Sequence, residues 1–130
     1  MNAPLDAPYA ATMGFGYERD AEGRLVLTMD YGDNKMGRPG YLHGGAIAGL
    51  LESAGFAGLA DVLAEEPTPR LKPVNVTVTY MRGGLEKRTY ARATIERLGR
   101  RVANIEVTAW QDDPKKPIAM AQMNILIDRS

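Results

Sequence analysis

The sequence predicts an α+β fold, a curved antiparallel sheet of five to six strands wrapped around one long central helix, and three observations predict it. Two strand-like segments come first, one long apolar segment follows at residues 44–65, and only strand-like segments come after it, giving the order β-β-α-β-β-β-β. From Gly44 to Ala60 every residue except Glu52 and Ser53 is Gly, Ala, Ile, Leu or Phe, so the helix is apolar on nearly all sides, as one enclosed by a sheet should be. The later strands are separated by the turn signals "GRR" and "DDPKKP".

Residues 1–12 read as an irregular N-terminal segment, and "MNAPLDAPYA" has neither the basic nor the apolar region of a signal peptide. Residues 13–18 and 24–31 form a hairpin across the turn "RDAEG", with apolar or aromatic residues near every second position. "GDNKMGRPGYL" is dense in Gly, Asp, Asn and Pro and reads as loop. The helix then runs from about Gly44 to Glu65 and stops before Pro67 and Pro69. Its glycines each cost about 1 kcal/mol relative to alanine, so packing must outweigh propensity. A membrane span is the competing reading of this stretch, and its marginal length, its glycines and its central acid speak against it. "LKPVNVTVTYM" sets Val74, Val76, Val78 and Tyr80 against Asn75, Thr77, Thr79 and Met81, and "GG" at 83–84 breaks it. Residues 88–99, 100–111 and 117–128 supply three more strands.

With 130 residues the chain fits one domain, 1–130, long enough to bury roughly two-thirds of its unfolded surface. Zero formal charge with 45% hydrophobic and 25% charged residues excludes long disorder and a strongly polyanionic partner. There is no cysteine, hence no disulfide and no thiolate metal site, which fits a cytoplasmic protein. Neutrality hides an asymmetry: residues 70–130 hold twelve Lys/Arg against six Asp/Glu. Solvated strand faces account for this blandly, and a phosphate-bearing ligand sharply. The basic residues are dispersed among strands with no interleaved aromatic platform, so nucleic-acid binding has little support.

Glu52 is the one ionisable side chain between Gly44 and Ala60. An unpaired carboxylate in an apolar setting costs several kcal/mol or takes up a proton, so its place wants a reason. Pairing with an arginine at a subunit interface is one. The other is chemistry: a general base or nucleophile, which burial tunes by disfavouring the charged form. At the helix start, Gly44 and Gly45 offer free N–H groups and the positive dipole end, without a Cβ to obstruct an oxygen. His43, the only histidine, caps or orients that end. Gly45 and Glu52 are seven residues apart, hence within about 20° of one face but roughly 10 Å apart along the axis. One helix cannot bring both to one carbonyl. Two antiparallel helices across a two-fold axis can, making two composite sites in a homodimer.

With His43, Gly44, Gly45 and, nine positions after the histidine, Glu52, "LHGGAIAGLLE" resembles the motif of the hotdog-fold acyl-CoA thioesterases of the PaaI-like, phenylacetate-degradation type. "VNVTVTYMRGG" looks like that family's next strand, with Tyr80 as its terminal aromatic, and the likeness runs from about residue 13 to residue 128. It implies hydrolysis of an acyl-CoA to free acid and CoA. The backbone N–H of a motif glycine polarises the thioester carbonyl, and Glu52, given by the opposite subunit, acts as general base or nucleophile. It also implies a dimer or dimer of dimers, no metal, and no cofactor beyond the CoA carried by the substrate. Arg82, Arg100 and Arg101 at strand ends suit the CoA phosphates, while Met36, Tyr41, Leu42 and Phe56 are candidates for the acyl pocket. Where many relatives carry Asn or Gln before the histidine this chain has Gly37, with Asn34 as the nearest substitute. Where many carry Ser or Thr after the helix it has Pro73, with Asn75 or Thr77 as substitutes. A hotdog protein that binds acyl-CoA without turning it over is the alternative.

Overall fold

The computed structural model describes residues 7–67 and 69–129. The first element is a short helix, α1 (Pro8–Met13). Proline at a first helical position loses no hydrogen bond, and Gly14 closes the helix in the left-handed conformation at φ 69°, its N–H meeting the Ala10 and Ala11 carbonyls. Ala10 and Met13, three residues apart, are buried. This corrects the expectation of an irregular segment over residues 1–12, of which residues 1–6 lie outside the described residues. Six residues with two buried positions carry too little period to reveal a helix, although a proline and a glycine bracket it.

The hairpin follows as β1 (Gly16–Arg19) and β2 (Leu25–Met29). It begins at residue 16 rather than 13 because Met13 belongs to α1. Asp20 shapes its turn by accepting from the N–H groups of Glu22 and Arg24 at 3.0 and 2.9 Å. A 3-10 turn at Asp33–Lys35 and a loop then lead into α2 (Gly44–Val62). The loop is tied down at its end: His43 N–H donates to the Lys35 carbonyl at 2.7 Å and Leu42 N–H to the Gly84 carbonyl at 2.9 Å. Helix α2 stops three residues short of the expected Glu65, its C-cap at Leu63, and the chain runs through a turn at 63–65 before Pro67.

Four strands complete the chain: β3 (Arg70–Tyr80), β4 (Thr89–Leu98), β5 (Val102–Trp110) and β6 (Ala119–Asp128). The six form one sheet in the order β1-β2-β4-β5-β6-β3, antiparallel at every pairing. Register shifts between Pro73 and Asn75 in β3 and between Ile95 and Arg97 in β4 are bulges, which bend strands and add twist. Pro73 fits inside a strand because β3 lies at the sheet edge.

Helix α2 packs on the inner face of this sheet, against β2 and β4–β6 above all. The sheet meets it with small residues, Ala91, Ala103, Ala109, Ala119 and Ala121, all fully buried or nearly so. Gly58 shows why the helix must be equally small: a Cβ there would lie 2.7 Å from the Cβ of Ala93. By length and composition α2 would pass for a membrane span, but here it is the core helix, burying Leu50, Leu51 and Leu59 completely.

Candidate active site

The site begins where the loop turns into α2. His43 has extended backbone angles, φ −67° and ψ 134°, and its Nδ1 accepts the Gly45 N–H at 2.8 Å. The imidazole is therefore the helix N-cap, with its proton on Nε2. Its carbonyl takes the next two donors, Ala46 N–H at 3.0 Å and Ile47 N–H at 3.2 Å. Of the helix's first N–H groups, that of Gly44 is left without a partner among the described residues. Tyr80 steadies the same turn from β3, its hydroxyl donating to the Gly44 carbonyl at 2.9 Å. The result is a fixed, positively polarised helix mouth with one unused donor.

From that mouth a groove of about 1550 Å³ runs along α2 between β1 and β3, the two edges of the sheet. Gly45, Gly49, Glu52, Ser53 and Phe56 form its floor. Glu52 is only half-buried. The sheet thus leaves one face of α2 uncovered, although the apolar composition suggested enclosure all round, because six strands do not bring the edges β1 and β3 together over the helix. Tyr9 of α1 borders the groove beside Gly49. Burial, and then the nearby Glu52 carboxylate, push its phenol above the usual range. At the far end Arg19 and Asp61 form a two-pronged ion pair, with contacts of 2.8 and 2.9 Å, and those hydrogen bonds hold the Asp61 carboxyl below the usual range.

The other residues singled out from the sequence are distributed unevenly. Phe56 lines the groove, whereas Leu42 is buried in the core. Met36 and Tyr41 are exposed on the loop before the helix, Tyr41 lying under the Arg38 guanidinium at 4.8 Å. Asn34 donates to the Thr12 carbonyl at 3.1 Å, tying the loop to the end of α1. Thr77 pairs with Gln122, and since Val76 and Val78 pack on the core, Thr77 points away from the helix, as does Asn75. Arg82 is exposed just beyond β3, on the side of the helix mouth. Arg100 and Arg101 line a separate cleft with Asp128 and Arg129 at the β4–β5 turn. Within one chain these arginines do not meet Glu52. The basic residues that do border the groove, Arg19, Arg70 and Lys72, come from opposite sheet edges that only the strand order brings to one place. Among the described residues no cluster of three or more His, Cys, Asp or Glu side chains is placed to hold a metal.

The sequence pattern of the Thioesterase superfamily matches residues 39–118, which span the helix mouth, Glu52 and three of the six strands. The chain belongs to that superfamily. It is accordingly a thioester hydrolase, and its sheet and helix have the hotdog arrangement. A solved protein from Chromobacterium violaceum is 33% identical, with TM-score 0.75, the match covering 96% of this chain and 87% of that one. A phenylacetic acid degradation-related protein from Ralstonia eutropha is 24% identical, with TM-score 0.78 and coverage of 92% and 90%. The BH2602 protein of Bacillus halodurans, solved with CoA, is 21% identical, with TM-score 0.81 and coverage of 95% and 80%. No curated protein sequence matches the chain.

Proposed function

We propose that this thioesterase hydrolyses acyl-CoA with a small aromatic or short- to medium-chain acyl group, as a cytoplasmic homodimer whose two active sites are each shared between subunits. One observation carries the reading: the unpaired Gly44 N–H and the Glu52 side chain belong to one helix but lie about two turns apart, roughly 12 Å along its axis. Across a two-fold axis, the helix mouth of one copy faces the Glu52 of the other. The open face of α2 and the free edge of β3, where Val74, Tyr80 and Met81 are exposed, supply an apolar surface for that second copy to cover. The CoA-bound Bacillus halodurans protein supports the choice of thioester.

The chemistry follows from these groups. The thioester carbonyl oxygen accepts the Gly44 N–H at the positive helix end, which stabilises the oxyanion as the carbonyl carbon becomes tetrahedral. Glu52 takes a proton from water as the water oxygen attacks that carbon. Collapse breaks the C–S bond, and the proton on Glu52 passes to the departing CoA sulfur, leaving free acid and CoA. His43 holds the donor in place by capping the helix. Arg82, on the side of the helix mouth, is assigned to the CoA phosphates, and Arg100 and Arg101, which lie in a separate cleft within one chain, join it only from the second subunit. The test is thiol release from aromatic, short-chain and long-chain acyl-CoAs by wild type and by Glu52→Gln. Turnover by wild type that drops at least a hundredfold in the folded variant is the expected result. Binding without turnover by wild type contradicts it.

A further inference from the structure

The hydroxyl of Tyr9 rests against the backbone of α2 at Gly49: a Cβ on Gly49 would lie 2.0 Å from Tyr9 Oη and 2.8 Å from its Cζ. Only glycine leaves room for the phenol there. Glu52 follows Gly49 by three residues, on the same helix face, and a helical side chain leans back over the turn preceding it. Phenol and carboxylate are therefore neighbours on the groove wall. Neither makes a hydrogen bond or ion pair with protein among the described residues. The Tyr9 ring is fixed at the side, edge-on to Phe15 with centroids 5.8 Å apart.

Resting on the thioesterase reading above, we propose that Tyr9 is a catalytic residue: its hydroxyl oxygen accepts one hydrogen of the attacking water while Glu52 accepts the other, so that the water's lone pair faces the thioester carbon. A carboxylate alone anchors one hydrogen of a water and leaves the molecule free to swing. A second acceptor fixes its orientation, which is where positioned reactants gain rate. The phenol's raised proton affinity, caused by burial and by Glu52, keeps it neutral beside the carboxylate at working pH. Gly49 is then part of the site as the gap that admits Tyr9.

The test compares Tyr9→Phe, Tyr9→Ala and Gly49→Ala with wild type in acyl-CoA hydrolysis, kcat and KM being measured separately. Tyr9→Phe keeps the ring and its packing, and kcat falls about 10- to 100-fold, the worth of one hydrogen bond to a charged or activated group, with KM within about twofold of wild type. Gly49→Ala displaces the hydroxyl and gives a similar loss. The double variant Gly49→Ala/Tyr9→Phe loses much less than the product of the two single effects, as for two changes acting through one group. Full kcat in Tyr9→Phe with loss only in Tyr9→Ala makes Tyr9 a packing residue and overturns the inference, while wild-type turnover in the same assay leaves the thioesterase reading standing. No turnover by wild type on any acyl-CoA overturns both.

Discussion

Replacing Gly44 by proline separates the helix mouth's chemistry from its architecture. Proline removes one N–H, and Gly44 is the first residue of α2, where that N–H serves no helical hydrogen bond. The residue before a proline must be extended, and His43 already is, at ψ 134°. A Cβ at position 44 would meet the Tyr80 ring at 3.4–3.5 Å, an ordinary contact. The substitution therefore costs little folding free energy, and by restricting the unfolded chain it is worth up to about 0.4–1 kcal/mol in its favour. Deleting an oxyanion donor costs about 100- to 1000-fold in kcat, or about 2.7–4 kcal/mol. Thermal unfolding should thus show Gly44→Pro no less stable than wild type, and thiol release should show it nearly inactive. A folded Gly44→Pro enzyme with turnover within a fewfold of wild type would refute the assignment of the donor to Gly44.

Other changes probe the same frame. His43→Ala removes the cap and should cost about 1 kcal/mol, a fall in Tm of roughly 3–6 °C, whereas His43→Asn, which also caps, should recover most of it; equal stability of all three proteins would mean that the imidazole does not cap. Gly58→Ala gains about 1 kcal/mol in helix propensity but sets two Cβ atoms 2.7 Å apart with no rotatable bond to relieve them, so overpacking of about 1–3 kcal/mol should leave it less stable in urea unfolding, with Ala93→Gly restoring the loss. Hydrogen bonds from Arg19 and Arg129 lower the Asp61 and Glu66 carboxyls from ordinary values of 3.8 and 4.5. Their contribution is thus present above those values and lost as pH falls through the lowered ones, so Tm should hold from neutral pH to about 5 and drop below about 4, less so in Asp61→Asn.

The helix was legible because an apolar run of that length between Gly44 and Pro67 admits little else, and β3–β6 because Val, Ile and Ala alternate with polar residues through most of each. Glu52 stood out for the same reason: a single charge in an apolar helix is a physical anomaly before it is a motif. Other features depended on information one sequence does not carry. That Arg19 and Arg70 border one groove follows from β1 and β3 being opposite edges of a sheet whose order departs from chain order. Tyr9 belongs to a helix too short to show a period, and only the missing Cβ of Gly49, several turns of chain away, reveals what it touches. The outward direction of Thr77 was readable, since it alternates with Val76 and Val78, which must face the core.

The most direct test of the shared site mixes two dead subunits. Gly44→Pro retains Glu52 and lacks the donor; Glu52→Gln retains the donor and lacks the base. Unfolding and refolding them together in equal amounts gives about half heterodimers, each with one site built from two intact parts. Thiol release from acyl-CoA should then recover to about a quarter of the wild-type rate, while each variant refolded alone stays inactive. A mixture as inactive as its components, with heterodimers shown to be present, would contradict a site made across the two-fold axis.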